Sequence, residues 1–369
     1  MFLSVMTFAV CLSAFIVYIC TYFIVPLCMR YAIQCNIVDL PDGKLKQHAQ
    51  VTPYLGGVAV FGGLSTGFVI VSMLLNSTPA LKDIFCYAPF IVGISILLIL
   101  GLIDDIRVLS PQQKILWQLG AACLISMSGG TVSHETTLLL HAWGFPAILA
   151  TITGMLLEII FIISMMNAFN LIDIMDGLAT TTAIGSSIIL GAAALHAQSY
   201  DIAIFLSMYI AALLAFLYYN WPRARIYLGD SGSLVMGGFL AGMACQVTWH
   251  IPSATPFASF FLMTFILIAV FFIPFIELIM LVVIRTHKGL PFFLGSPHHF
   301  IHYLKRRGFS IFCILKMVYF LSIYLLLNVI ALLFNVYSLG QYAAVMITAM
   351  SAWIAFVYLF SFKKIVMKS

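Results

Sequence analysis

The sequence predicts an all-α polytopic membrane protein, and its composition and hydropathy are the observations that predict it. The chain has 369 residues, of which 63% are hydrophobic and only 8% are charged. Soluble domains, in contrast, have roughly a quarter of their residues charged. The mean hydropathy is +1.12. Charge-poor runs recur along the whole sequence, and their lengths are close to the ~20 residues that a helix needs to cross the hydrocarbon layer. This composition excludes a soluble globule, a disordered chain and a nucleic-acid-binding domain.

Eleven such runs are predicted to be transmembrane helices of a single domain that covers residues 1–369. The first run carries no charge and has no basic segment, so we expect an uncleaved span instead of a signal peptide. Polar turns at 250–256 and 335–341 divide longer apolar stretches. The eleven runs lie near residues 1–29, 54–76, 84–103, 113–129, 146–165, 179–197, 203–220, 233–249, 257–284, 312–335 and 341–362.

The distribution of charge orients these helices. With eleven spans, 16 of the 17 Lys and Arg residues fall on the side of the C-terminus, and only Lys82 falls opposite. Because cytoplasmic loops carry the excess of Lys and Arg, the N-terminus is predicted to be outside and the C-terminus cytoplasmic. An active site on the cytoplasmic loops is predicted, since seven acidic residues share this face: Asp39, Asp42, Asp104, Asp105, Asp173, Asp176 and Asp230.

The first candidate group lies at the cytoplasmic end of the third span. Asp104 and Asp105 are adjacent carboxylates, which suit the binding of a hard cation such as Mg²⁺ or proton abstraction from a phosphate or hydroxyl. The simpler alternative is a solvated helix end. Lys114 begins the next span, where it either faces a substrate phosphate or anchors the helix at the membrane surface. Considered alone, a lysine at this position favours the interpretation as a membrane-surface anchor.

Polar residues at every third position give the strongest indication of a site. They are Asn167, Asn170, Asp173 and Asp176, after the fifth span. Three of the four can share one helical face, and packing them between apolar spans costs free energy unless their hydrogen bonds are satisfied. An N-cap for the sixth span explains one of these residues but not four.

Two further loops combine polar and cationic groups. The turn Gly-Asp-Ser-Gly-Ser at 229–233 can surround a phosphate–metal pair, with Tyr227 beside it, although an ordinary N-cap turn with an interfacial tyrosine fits equally well. His299 and His302 are three residues apart on a basic amphipathic stretch. This spacing fits phosphate binding or acid–base chemistry, and the alternative is a membrane-surface helix.

Taken in order, five segments resemble the motifs of the polyprenyl-phosphate N-acetylhexosamine-1-phosphate transferases of glycosyltransferase family 4. The segments are DLPDGKLKQH with PYLGG, LIDDIRVLSPQQK, NAFNLIDIMDGLA, YLGDSGSL and the histidine loop. The resemblance implies transfer of a sugar 1-phosphate from a UDP-sugar to undecaprenyl phosphate, with release of UMP. It implies Mg²⁺, or alternatively Mn²⁺, as cofactor, and an eleven-span location in the bacterial inner (cytoplasmic) membrane. The simplest donor is UDP-GlcNAc, for lipopolysaccharide O-antigen, teichoic acid or another envelope glycan.

The resemblance also implies roles for individual residues. Asp230 is expected to bind the Mg²⁺ that holds the diphosphate, and Asp104 and Asp105 are expected at the lipid phosphate, one of them as a base. Lys114 is expected to neutralise a phosphate. Asn170, Asp173 and Asp176 are expected to bind the nucleotide-sugar and order the metal site. Asn220 and Tyr227 are expected to contact uridine, with Tyr227 stacking on uracil. His299 and His302 are expected to lie over the diphosphate.

The sequence departs from the family pattern at two motifs. Ile174 stands where a glycine is expected, and the histidine motif is one histidine short, with Gly295 or Ser296 in place of an aspartate. The donor therefore stays open between UDP-GlcNAc, a UDP-linked muramoyl pentapeptide and a UDP-linked 6-deoxyhexosamine.

Other interpretations also stay open. A cation-coupled transporter would use the acidic residues as a relay, but no inverted repeat is evident and the acidic residues cluster at one face. Glu158 and Glu277 lie within spans, where we expect structural counter-ions, and Pro274 is expected to kink its span. No nucleic-acid partner is expected, and a monomer and a homodimer are both open.

Overall fold

The computed structural model describes residues 2–39, 51–74, 87–249, 255–291, 298–336 and 338–359. Within these ranges the chain forms helices joined by short loops, together with one antiparallel pair of two-residue strands, β1 (Val38–Asp39) and β2 (Thr52–Pro53). The α-helices are α1 (Phe2–Gln34), α2 (Gly56–Leu74), α3 (Ala88–Ile106), α4 (Pro111–Ser126), α5 (Thr131–Ala142), α6 (Ala147–Ile172), α7 (Leu178–His196), α8 (Tyr200–Asn220), α9 (Asp230–Trp249), α10 (Pro256–Val270), α11 (Phe272–His287), α12 (Phe300–Arg306), α13 (Ile311–Leu333) and α14 (Leu339–Ile354). A π-helix, Ala355–Leu359, follows α14.

Several of these helices begin where short polar side chains precede an apolar run. Ser110 accepts a hydrogen bond from the backbone N–H of Gln113, whose side chain accepts one from the backbone of Ser110, so a capping box starts α4. Ser338 and Gln341 form the same arrangement at α14. Each cap satisfies N–H groups that the first turn of a helix leaves unpaired.

The described helices confirm a polytopic, all-α membrane protein. Eight of them are long and apolar enough to cross a membrane, and up to ten spans result if each of two bent pairs counts as one. The pairs are α4 with α5, bent by 76°, and α10 with α11, bent by 84°. The run predicted at 233–249 falls within α9, whose residues 231–247 are all buried.

The bend between α10 and α11 has a chemical cause. Pro274 has no N–H to donate to the carbonyl of Val270, four residues earlier, so the helical hydrogen bond is lost there. The hydroxyl of Ser186 on α7 donates to that carbonyl instead, at 2.6 Å. The predicted effect of Pro274 is therefore confirmed, and a neighbouring helix satisfies the acceptor that the proline leaves.

Glycines let two helices approach the start of α9 closely. A Cβ atom at Gly101 of α3 would lie 2.5 Å from the carbonyl carbon of Asp230, and a Cβ at Gly57 of α2 would lie 2.5 Å from that of Ser231. Real Cβ atoms essentially never show contacts under 3.0 Å. Only glycine therefore permits this packing, and it places the end of α3 next to Asp230.

The segment before α9 is joined to the start of α2 by backbone hydrogen bonds. The N–H of Tyr227 donates to the carbonyl of Pro53 at 2.9 Å, and the N–H of Gly56 donates to the carbonyl of Tyr227 at 3.0 Å. Segments that are distant in sequence thus meet at one end of the bundle. The predicted loop residue Asp42, the cation Lys82 and the positions Gly295 and Ser296 lie outside the described residues.

Candidate active site

A cavity of about 550 Å³ opens where these segments meet. Eight of the residues predicted from the sequence line it: Asp104, Asp105, Lys114, Asp173, Asp176, Asn220, Tyr227 and Asp230. They come from the last turn of α3, the start of α4, the loop after α6, and the stretch from the last residue of α8 to the first residue of α9. Sequence patterns from separate loops thus converge on one site.

Asp230 lies at the centre of a network of charged and polar groups. Its Oδ2 atom lies 3.3 Å from Nζ of Lys114, which also forms an ion pair with Asp104. Its Oδ1 atom accepts a hydrogen bond from Nδ2 of Asn170 at 2.8 Å, and the same amide lies 3.0 Å from the hydroxyl of Ser233. Lys114 therefore faces carboxylates at the site and does not act only as a membrane anchor.

Asp105 caps the first turn of α9. Its Oδ1 accepts from the backbone N–H of Asp230 at 2.7 Å and its Oδ2 accepts from that of Ser231 at 3.2 Å. A carboxylate at a helix N-terminus satisfies unpaired N–H groups and stabilises the positive end of the helix dipole. The preceding Gly229 has φ +74°, and a Cβ there would lie 2.5 Å from Oδ2 of Asp105. The sequence did not predict this structural role.

Asp104, the other member of the pair, has different partners. Its Oδ1 accepts from the backbone N–H of Leu109 at 2.8 Å, while its Oδ2 contacts Lys114. The partner of Oδ2 is a flexible cation that a bound phosphate can attract. Asp104 is thus the member of the pair whose contact a substrate can replace.

Asp173 is the carboxylate that the described part of the chain leaves without a hydrogen-bond donor or a cation. It follows α6 directly and lines the cavity. Burial, together with the negative charges of Asp230, Asp105 and Asp176, raises the pKa of Asp173 to about 8. A carboxylate with only acidic neighbours has the environment that a bound cation would stabilise.

Asn220 and Asp176 hold the surrounding backbone together. The Oδ1 of Asn220 accepts from the N–H of Gly177 at 2.9 Å, and its Nδ2 donates to the carbonyl of Ile226 at 2.9 Å. Asp176 accepts from the N–H of Ala224 at 3.0 Å. Both residues therefore connect the loop after α6 with the loop after α8. The predicted contact of Asn220 with uridine stays a prediction.

Two aromatic rings and one more acidic residue complete the described cavity wall. The ring centroids of Tyr54 and Tyr227 are 5.8 Å apart, at an interplanar angle of 53°. Burial and the nearby Asp39 raise the pKa of Tyr54. Asp39 is 7% exposed and lines the cavity with Tyr54. Neither residue was predicted at the site from the sequence, although Asp39 was among the acidic residues of the predicted inner face.

His299 and His302 are not among the residues that line this cavity. Their ring centroids are 6.2 Å apart, and Nδ1 of His299 lies 2.9 Å from Oε1 of Glu277. Their predicted position over a diphosphate stays a prediction. Glu277 thus has a histidine partner, whereas Glu158 accepts from the hydroxyl of Ser126 and the N–H of Ser133. The expectation that Glu158 is a counter-ion is wrong, because both donors are neutral.

The donor set is compatible with Mg²⁺. Among the described residues, no group of three His, Cys, Asp or Glu side chains is arranged to hold a metal ion by itself. Mg²⁺ commonly binds through one or two carboxylates and completes its shell with phosphate oxygens and water. Asp230 and the unpartnered Asp173 supply carboxylates of this kind.

Comparisons of the sequence show which known proteins this chain is similar to. The model of the family "Glycosyl transferase family 4" matches residues 87–248. A probable undecaprenyl-phosphate N-acetylglucosaminyl 1-phosphate transferase of Bacillus subtilis is 35% identical over 235 residues, which cover 61% of this chain but only 59% of that protein. A decaprenyl-phosphate N-acetylglucosaminephosphotransferase of Mycobacterium tuberculosis is 29% identical, over 79% of this chain and 74% of the relative. A phospho-N-acetylmuramoyl-pentapeptide-transferase of Geobacillus is 30% identical, over 83% and 91%.

Proposed function

Since the chain belongs to glycosyl transferase family 4, we propose that it transfers a sugar 1-phosphate from a UDP-sugar to undecaprenyl phosphate. The products are undecaprenyl-diphosphate-HexNAc and UMP, and the favoured donor is UDP-GlcNAc, which fits the names of the Bacillus and Mycobacterium relatives. The observation that carries the proposal is the cavity in which Asp230, Asp173, Asp104 and Lys114 converge. These groups can hold a diphosphate, a divalent cation and a second phosphate together.

Asp230 and Asp173 are the residues that would hold Mg²⁺, with Mn²⁺ as the alternative. A divalent cation bound there would neutralise charge on the diphosphate of the donor. Asn170 keeps Asp230 in position through its 2.8 Å hydrogen bond, and Asp105 fixes the backbone at the same residue. Asp230, the proposed metal ligand, is therefore held in position through both its side chain and its main chain.

Lys114 and Asp104 are proposed to act on the phosphates. In the structure their charges are paired with each other, and a bound phosphate would take the place of Asp104 beside the ammonium group. The second pKa of a phosphate monoester is about 6, so the lipid phosphate is already largely dianionic at pH 7. We therefore favour direct attack of that phosphate on the β-phosphorus of the donor, with release of UMP and only modest base assistance from Asp104.

The proposed location is the bacterial inner membrane, with eleven spans, the N-terminus outside and the cavity facing the cytoplasm. Support comes from the connections that build the cavity, which are those predicted to lie inside after spans 1, 3, 5 and 7. Side chains from all four connections line the same cavity. The positive-inside distribution of Lys and Arg gives the direction.

A release assay for UMP tests this function on the purified full-length protein. We expect UMP from UDP-GlcNAc only when undecaprenyl phosphate and Mg²⁺ are both present. The Asp230→Asn variant should lose this activity. The matched control is Asp201→Asn, because Asp201 lies at the start of α8, where it accepts a hydrogen bond from Tyr87, and does not line the cavity. Undiminished UMP release by Asp230→Asn would contradict the metal assignment.

A second donor is supported by the Geobacillus relative, since the match covers 91% of that protein. The assay therefore includes UDP-linked muramoyl pentapeptide and a UDP-linked 6-deoxyhexosamine beside UDP-GlcNAc. Preference for either would correct the proposed sugar but not the reaction. Absence of lipid-dependent UMP release with every donor would reject the proposed reaction.

A further inference from the structure

A buried carboxylate joins α11, the start of α12 and the C-terminal π-helix. Glu277 on α11 is 1% exposed. Its Oε1 atom lies 2.9 Å from Nδ1 of His299, the N-cap residue of α12. The backbone N–H of Phe300 donates to both carboxylate oxygens, at 3.3 and 3.4 Å, and the hydroxyl of Tyr358 contacts Oε2. Three separate segments of the chain therefore converge on one side chain.

These contacts determine which nitrogen of His299 carries the hydrogen toward Glu277. The N–H of Phe300 can only donate, so the carboxylate acts as an acceptor at both of its oxygens. A carboxylate that accepts makes Nδ1 the donor, and such a partner fixes both the tautomer and the orientation of the ring. The other nitrogen, Nε2, then faces away from Glu277.

The π-helix is held against α12 by a second set of bonds. The guanidinium group of Arg307, at the end of α12, donates to the backbone carbonyls of Phe356 and Val357. Tyr358, the next residue, reaches Glu277. The position of the Glu277 carboxylate is thus defined from two sides.

The other buried glutamate within a predicted span differs from Glu277. Glu158 is fully buried, and its partners are the hydroxyl of Ser126 and the N–H of Ser133. It has no histidine partner among the described residues. Glu158 is therefore a suitable comparison for Glu277, because it is a buried carboxylate whose hydrogen-bond donors are a serine hydroxyl and a backbone N–H.

We propose that Glu277 is a positioning residue for sugar-phosphate transfer, acting through His299, and this inference rests on the function proposed above. Glu277 holds the imidazole with Nδ1 occupied and so reserves Nε2 for a phosphate group of the substrates. The ring is 6% exposed and does not line the cavity described above, so this contact is expected only when the substrates are bound. Tyr358 holds Glu277 in turn. The C-terminal π-helix thereby contributes to turnover without touching substrate.

Steady-state kinetics of the full-length enzyme test this role. Removal of a partner that orients a metal-binding histidine typically costs about 10- to 100-fold in metal affinity or activity, and we expect a loss of the same order in kcat for Glu277→Gln. The KM for UDP-GlcNAc should stay close to the wild-type value, because His299 keeps its place. Glu277→Asp keeps the charge and should recover part of kcat. Glu158→Gln is the matched control and should keep the wild-type kcat.

A double-mutant cycle separates positioning from a general effect on folding. In a His299→Ala background, Glu277→Gln should cause almost no further loss, since the two residues act as one unit. Tyr358→Phe removes a single contact and should show a smaller kcat loss that also disappears in that background. Tyr358→Phe replaces Glu277→Gln as the test variant if Glu277→Gln does not fold.

Three results would overturn the positioning role. They are an unchanged kcat in Glu277→Gln, an equal loss with and without His299, and an equal loss in Glu158→Gln. A wild-type enzyme that releases no UMP with any UDP-sugar contradicts the proposed function instead, so the two failures are distinguishable.

Discussion

Substitution of Gly101 by alanine should impair turnover without removing any functional group. A Cβ at this position would lie 2.5 Å from the carbonyl carbon of Asp230, where ordinary van der Waals contact begins at 3.4 Å. The end of α3 and the start of α9 must therefore separate by roughly 1 Å, a displacement that can cost on the order of 100-fold in rate. We expect a fall of this size in kcat, because Asp104 and Asp105 move away from Asp230 together.

The assay is the initial rate of UMP release, with Gly120→Ala as the control. Gly120 lies on α4, and a Cβ there meets nothing within 4 Å. Alanine stabilises a helix interior by up to about 1 kcal/mol relative to glycine, so this control should keep its rate and unfold at the same or a higher temperature. A Gly101→Ala enzyme that turns over at the wild-type rate would refute the reasoning about close packing at α9.

Two further predictions concern the loop after α6. Because the pKa of Asp173 is raised to about 8, the protonated form dominates below that pH and a metal ion must displace the proton. The affinity for Mg²⁺, measured by titration of UMP release, should therefore rise from pH 6 to 8 and then level off. Asp173→Asn should weaken this dependence and leave the part that Asp230 contributes, because burial raises the pKa of Asp230 to about 7; an affinity independent of pH in the wild type would contradict the assignment. Asn220→Ala leaves the N–H of Gly177 and the carbonyl of Ile226 without their partner. Each unsatisfied buried group costs about 1–3 kcal/mol, so thermal unfolding in detergent should occur at a lower temperature. An unchanged unfolding temperature for Asn220→Ala would show that these bonds do not stabilise the loop.

The sequence was sufficient to predict the all-α membrane architecture and the meeting of several polar segments, but not the number of spans, which is eight to ten among the described residues. Apolar runs report the free energy of transfer into lipid, and this quantity depends mainly on local composition. The acidic residues of alternate loops converge because those loops lie at one end of the bundle. Asp104, Asp173 and Asp230 could therefore be assigned to one cavity before their distances were known.

Features that depend on contacts between distant residues could not be predicted in this way. Hydropathy does not distinguish a helix in lipid from one surrounded by protein, so the buried position of α9 had no signal. The pattern around Asp105 and Asn220 indicated polar groups but not their partners, which are backbone atoms elsewhere in the chain. Likewise, Glu277 and His299 are 22 residues apart, and nothing in their spacing indicates a pair.

The hydroxyl of Ser186 has a consequence for the shape of the bundle. At the bend between α10 and α11 it satisfies the carbonyl of Val270, and in hydrocarbon no water is available to replace it. Any movement that separates Val270 from Ser186 would leave that oxygen without a donor, so this bond attaches the bend to α7.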